Sequence, residues 1–459
     1  MVPPAPTSTE FRKLLDWKDG ALSQSGQRMR LRSPGPTAMI FVITATIFLA
    51  SPVRSLTDSR YSTLVSEALV RHGSFVLDEW FADQPLPQYQ VEQAYQVERV
   101  RGHIYYWYPP GGPVLATPFV WLLAQVGISA VGPSGRYDPG GELFVQAILA
   151  ACFMALLAVF FLRTALLILP PRWSWIVALS GCLGTQIWST ASRVLWGDTF
   201  LVLILGAVVW LLVLHETGRR RMSAPLLATL LAWGYFCRPT ASLAIVAITL
   251  YLMRYHRGLV GSYLATGAVW IVVFVTYSWV TFGTLLPTYY RTGTFSLHSF
   301  GSGLLGILVS PSRGQLVFVP VTLFVAYLVG RYWRSLPLRP LIMPALLSVT
   351  GQVVLISLFD QWPGGHSYGP RYLAPLVPWL VLLAALGLRP LLERRAPAMR
   401  IELAAGAVLL ALSVLVQARG TCARATWEWN KTPDDISLHL ERVWDWRDPQ
   451  PLAGLLPPR

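Results

Sequence analysis

The residues best placed for chemistry lie between apolar runs. Asp58, in Thr57-Asp58-Ser59-Arg60-Tyr61, puts a carboxylate just beyond the first apolar run. Such a group can take or orient the proton of a hydroxyl. It also precedes an amphipathic stretch with apolar residues at Tyr61, Leu64, Val65, Ala68 and Leu69, one face of a helix that Gly73 would stop. Asp58 therefore reads in two ways, as a reactive carboxylate at membrane level or as the cap of that helix. Asp198 follows Ser192-Arg193-Val194-Leu195-Trp196-Gly197 and is a second carboxylate at the edge of an apolar run. It could position a hydroxyl or a divalent cation, or cap the next helix. If Asp58 and Asp198 come together, a cation between them would let both ionise, and Arg193 could supply it.

Two further motifs carry cations beside small residues. In Ser310-Pro311-Ser312-Arg313-Gly314 the backbone can approach an anion, and Arg313 can donate two parallel hydrogen bonds to phosphate; lipid headgroups are its other partner. Gln361-Trp362-Pro363-Gly364-Gly365-His366-Ser367-Tyr368-Gly369-Pro370-Arg371-Tyr372 specifies a tight non-helical loop. His366, Tyr368 and Arg371 can donate to phosphate or sugar, and Trp362 can stack on a sugar face or anchor at the membrane surface. Carboxylates, phosphate-holding cations and apolar grooves are the parts that sugar transfer from a lipid phosphate requires.

The chain of 459 residues is 54% hydrophobic and 13% charged, which marks an all-α polytopic membrane protein. Its net charge of +14 does not imply nucleic acid. The cations gather in short loops, at 163–172, 219–221, 254–257, 331–339 and 389–400, as cytoplasmic connections do. With those loops inside, about eleven transmembrane helices result, near 37–53, 142–163, 173–191, 198–214, 223–237, 240–253, 259–281, 315–330, 340–359, 371–388 and 401–417. The run 114–128 is then re-entrant or interfacial; if it spans, every later loop inverts. Residues 1–36 form a cytoplasmic arm, 37–417 the membrane domain and 418–459 an extracytoplasmic tail. Within this layout 54–141 is the first extracytoplasmic loop, with interfacial helices and a hairpin around Arg101-Gly102-His103. All the motifs above then fall on one face of the membrane. The four cysteines suggest neither disulfide nor metal site, and the sequence fixes no metal or cofactor.

The chain resembles the polyprenyl-phosphate-sugar-dependent membrane glycosyltransferases of the GT-C superfamily, in particular bacterial relatives of protein mannosyltransferases and aminoarabinose transferases. The resemblance lies in Thr57-Asp58-Ser59-Arg60-Tyr61, Tyr108-Pro109-Pro110-Gly111-Gly112-Pro113, Ser310-Pro311-Ser312-Arg313-Gly314, the Gly364 to Tyr372 segment, and Val443-Trp444-Asp445-Trp446-Arg447-Asp448-Pro449-Gln450, framing about residues 37–450. It implies an inverting transferase of a bacterial inner membrane, with Asp58 as base and Asp198 assisting. Its partners would be a polyprenyl-phosphate-linked sugar, a glycan, lipid or protein acceptor of the cell envelope, and membrane lipid. Family motifs are often Asp-Glu in the first loop; Ser59 stands in the second place here, against a metal-binding pair. A lipid-linked glycan flippase would carry charges in mid-span, and the spans hold few. A non-catalytic envelope-assembly protein is the remaining alternative.

Overall fold

In the computed structural model, residues 34–81, 94–394 and 397–455 are described. Most of the expected arm (1–36) and part of the first outer loop (82–93) lie outside these residues.

The fold is that of an all-α polytopic membrane protein, and each expected span coincides with helix. The helices Pro34–Ala50, Pro139–Leu166, Pro171–Leu183, Gly197–Glu216, Ala224–Cys237 and Ser242–Tyr255 are followed by Arg257–Phe282, Val321–Arg331, Ile342–Leu358, Val377–Glu393 and Pro397–Cys422. Among the described residues six helices are long and apolar enough to cross a membrane. Their packing separates a core from a rim. Of the most apolar 18 residues, 78% are buried inside the protein in Arg371–Glu393, against 11% in Arg257–Phe282, where their mean hydropathy is still 1.9. An apolar helix with that little protein around it is suited to lipid.

The connections sort to two ends. At one, Arg389 Nη1 donates to the Ile168 carbonyl (2.7 Å), His256 meets Glu216 (2.8 Å) and Tyr332 donates to Glu402 (2.7 Å), so the short basic loops cluster. At the other, the Asp58 loop, the 192–198 turn, the 361–372 loop and the tail converge. The run 114–128 stays at this second end. Its helix, Gly111–Ala124, is 14 residues long, about 21 Å at 1.5 Å per residue and short of the ~30 Å hydrocarbon layer. Past its end, Ser129 donates to Glu67 (2.6 Å), and Glu142 accepts the Tyr61 N–H (2.9 Å). The chain thus returns to the end it left.

The segment 54–141, expected to be the first extracytoplasmic loop, has the expected hairpin and helix. Val97–Val100 and His103–Tyr106 pair antiparallel, with Val100 opposite His103 and positive φ at both Arg101 and Gly102, a two-residue hairpin turn. Ser62–His72 is helical and ends at Gly73, whose N–H caps Leu69 (3.1 Å). Its apolar side does not face lipid, however. Leu64, Val65 and Ala68 cluster with Leu77, Phe81, Ile104 and Val131 from the same segment, because the hairpin folds back over that face.

Candidate functional site

The helix Ser62–His72 is capped from a distance, and this frees Asp58. Tyr61 sits at φ +70° before the first turn, a conformation that costs a non-glycine residue energy. The buried Glu142 carboxylate holds it there. It accepts the Tyr61 N–H (2.9 Å), the Thr63 N–H (3.2 Å), the Thr63 hydroxyl (2.9 Å) and the Tyr137 hydroxyl (2.6 Å). Gln146, one turn on, donates to the Ser59 carbonyl (2.7 Å) and accepts the Leu195 N–H (3.2 Å), so it ties the Asp58 turn to the 192–198 turn. Among the described residues Asp58 makes no capping bond to this helix. Its Oδ2 pairs with Arg371 Nη2 at 2.7 Å, Oδ1 accepts from Tyr95 (3.2 Å), and its carbonyl accepts from Tyr106 (2.6 Å).

Asp58 and Arg371 open onto a cavity of about 880 Å³, lined also by Arg238, Glu98, Tyr108, Tyr289, His366 and Tyr372. Arg371 lies between two aromatic rings, 4.6 Å from the Trp196 centroid and 4.8 Å from that of Tyr372. Arg238 takes up a position 5.0 Å from the same Tyr372 ring and pairs with Asp198 at 2.9 Å. Two carboxylate–guanidinium pairs, Asp58–Arg371 and Asp198–Arg238, therefore meet at one aromatic ring, that of Tyr372. Gly364 and Gly365, at φ +77° and +59°, make the turn that brings this loop against Arg371; a Cβ on Gly364 would lie 3.2 Å from Arg371 Nε.

The phenols around Asp58 are donors. Burial raises Tyr95 well above the usual range, and the Asp58 charge adds to this; Tyr108 is raised by burial and then by Asp58. They stay protonated at neutral pH, so they can hydrogen-bond a sugar but cannot serve as bases. Glu98 is a third carboxyl of the cavity, raised by burial against the opposing effects of Thr288 and Arg291.

The residues singled out from sequence divide sharply. Asp58, Arg371 and His366 line the cavity, and His366 Nε2 also meets Asp435 Oδ1 of the tail (2.8 Å). Asp198 stands behind it, through Arg238. Four others lie outside the cavity wall. Arg193 does not bridge the two aspartates. Its guanidinium donates to the carbonyls of Ser51 (3.1 Å) and Phe48, at the carboxyl end of Pro34–Ala50, where a cation satisfies orphan carbonyls. Arg313 is fully buried. It donates to Pro363 O (2.7 Å), Ser312 O (2.7 Å), Gly365 O (3.1 Å), Gln450 Oε1 (2.6 Å) and Asn430 Oδ1 (3.0 Å), clamping the tail to the 361–372 loop. Tyr368 donates to Val416 O (2.7 Å) and packs on Phe318. Trp362 is buried against Gly306 and Trp444.

Sequence reasoning noted Arg238 only as an arginine on the unexpected side of the membrane, and missed Glu98, Tyr95 and Tyr289 as members of the site. The signal of Arg238, shared with Arg193, is an arginine on the expected outer side, against the charge rule. Glu98 and the tyrosines had none, since the hairpin and the 288–295 segment reach the cavity only by folding over it.

No family model and no curated protein matches the chain. Among solved structures it is similar to ArnT from Cupriavidus metallidurans bound to undecaprenyl phosphate, at 15% identity and TM-score 0.49, over 86% of this chain and 69% of that one.

Proposed function

We propose that this protein is a membrane glycosyltransferase that moves a sugar from a polyprenyl phosphate to a cell-envelope acceptor on the extracytoplasmic face, with inversion. One observation carries the reading: the Asp58 carboxylate, relieved of helix capping by Glu142, stands in a large polar and aromatic cavity with its Oδ2 on Arg371 at 2.7 Å. The opposite end of the bundle holds the short basic connections, which supports an extracytoplasmic cavity.

In this reading Arg371 and Arg238 receive the donor phosphate. Arg371 is shared: phosphate competes with Asp58 for its guanidinium, and the carboxylate it releases becomes a stronger acceptor for the acceptor hydroxyl's proton. The hydroxyl oxygen attacks the anomeric carbon from the face opposite the phosphate. The bond to phosphate breaks, its electron pair stays on the phosphate oxygens, and the two guanidiniums offset the added charge. Asp198 keeps Arg238 in place. The Tyr95 and Tyr108 hydroxyls, held protonated, orient sugar hydroxyls. A divalent cation, if bound, would supply Lewis-acid help, and Asp58 and Glu98 are the carboxylates of the cavity that would hold it.

The test is transfer by the purified full chain, with a panel of polyprenyl-phosphate sugars and cell-envelope extract as acceptor, followed by mass spectrometry. Wild type should turn over at least one donor. Asp58→Asn should lose about 10²–10⁴-fold in rate, the usual weight of a positioned base, with donor binding retained. Undiminished turnover by Asp58→Asn removes Asp58 from the reaction; no transfer from any donor by folded wild type rejects the enzyme reading.

A further inference from the structure

Arg54 and Arg193 meet at the carboxyl end of the helix Pro34–Ala50. Arg193 gives Nη1 to the Ser51 carbonyl (3.1 Å), and Nη2 to those of Phe48 and, at 3.3 Å, Ser192. Arg54 gives Nη2 to the Leu49 carbonyl. Both border a void of about 20 Å³ that shares no lining residue with the large cavity; Trp196 borders it as well. Arg54 Nε, Arg193 Nε and Trp196 Nε1 are all buried with no hydrogen-bond partner among the described residues. Arg193 and Trp196 are each only 4% exposed. An N–H left unpaired away from water carries its full desolvation cost, so three such donors around one small void call for an acceptor there.

Charge decides between water and an anion. Two guanidiniums border the void, and among the described residues no carboxylate does. Burial, and after it the Arg54 charge, push the Arg193 guanidinium down to about 9, so it is still a cation at neutral pH. The helix end returns only about half an elementary charge, which leaves roughly one and a half positive charges around donors shielded from water. An anion gains more there than a water does. Size then selects the anion. The void exceeds the ~10–15 Å³ that one water needs, and a phosphate, with four oxygens, overfills it.

We propose that Arg54, Arg193 and Trp196 form a binding site for one small inorganic anion of the size of chloride. The two Nε–H groups and the indole N–H donate to it, while the Nη groups stay on the helix carbonyls. Ser367 of the 361–372 loop and Thr426 of the tail also border the void, so the ion joins both to the end of the first span. Arg371 packs 4.6 Å from the Trp196 ring centroid. The anion therefore steadies the ring behind Arg371 and takes no part in bond making. The site does not depend on what the large cavity binds.

The experiment exchanges full-length protein into gluconate buffer and titrates it with chloride or bromide at constant ionic strength; crystals of the same protein are soaked in bromide. Anomalous scattering should place one bromide per chain in the void. Thermal unfolding should rise by about 2–5 °C and saturate with either halide. Trp196→Phe keeps a ring for Arg371 and loses the indole N–H, and should weaken halide binding about 10–100-fold, the weight of one hydrogen bond to a charged group. Arg54→Gln should weaken it at least as much. Arg254→Gln, at the opposite end of the bundle, should bind as wild type does. Water in the void of the bromide-soaked crystal overturns the proposal, as does density for a lipid phosphate there. So does stability that follows ionic strength alike in gluconate and chloride, or halide affinity unchanged in both Trp196→Phe and Arg54→Gln. Because the position of the ion and the stabilisation are read on wild type, a misfolded variant cannot mimic these outcomes. No turnover is measured, so failure of the transferase reading leaves them untouched.

Discussion

Arg313 and Arg371 lie in neighbouring motifs and read alike in the sequence, yet their surroundings are opposite. Arg313 gives its donors to five neutral oxygens and stacks 5.6 Å from the Trp429 ring centroid, with no carboxylate partner among these contacts. Nothing of it is left for a ligand. Arg371 has one carboxylate, two aromatic faces and a cavity in front of it, and its Nε is without a hydrogen-bond partner among the described residues. A buried arginine that satisfies carbonyls holds a fold together. One that shares a single carboxylate beside open space can exchange that carboxylate for a phosphate.

Substitution at both positions tests this contrast. Arg313→Ala should cost about 3–5 kcal/mol of stability, since it strands several buried carbonyl and amide oxygens, and should release the tail; thermal unfolding and limited proteolysis check it. A variant with wild-type stability but weakened donor binding would move Arg313 into the site. Arg371→Ala should weaken donor binding by about 1.5–3 kcal/mol, the range of a charge-assisted hydrogen bond, with a smaller effect on unfolding. Equal donor affinity in this variant and in wild type, by lipid-phosphate titration, would remove it from the phosphate site.

The next effect concerns what frees Asp58. Glu142→Ala should cost about 2–3 kcal/mol, because the Tyr61 and Thr63 N–H groups lose a buried acceptor. Hydrogen exchange should rise first in the Ser62–His72 helix. If Glu142→Ala leaves that helix protected, the cap lies elsewhere.

The smallest effect is at the cavity rim, where His366 meets Asp435. Burial works to raise Asp435, but the His366 bond and the Ser437 N–H outweigh it and hold the carboxyl below its ordinary 3.8. A carboxyl lowered in the folded state stabilises fully above that ordinary value, and the contribution fades as pH falls through the lower folded value. Exchange at 434–439 should therefore increase only below about pH 3.8, and Asp435→Asn should remove that acid-dependent step. An unchanged acid profile in Asp435→Asn would show that the contact carries no weight.

Much of the framework was legible in the sequence. Apolar runs located the spans, Arg101-Gly102 the hairpin and Gly73 the helix stop, because each follows from the chemistry of a few consecutive residues. The grouping of outer motifs followed from the basic loops on the other side. The role of each polar residue was decided by tertiary structure. Asp58 could be cap or reactive group until Glu142, from a different helix, took over the cap. Arg193 and Arg313 had the composition of anion sites, but carbonyls far away in sequence claimed most of their donors, while Arg238 was brought to Asp198 by the pairing of two helices. Hydrophobic periodicity is local and survives in one dimension. A hydrogen-bond donor has a fixed number of protons to give, and which distant acceptor takes them depends on the packing of the whole bundle.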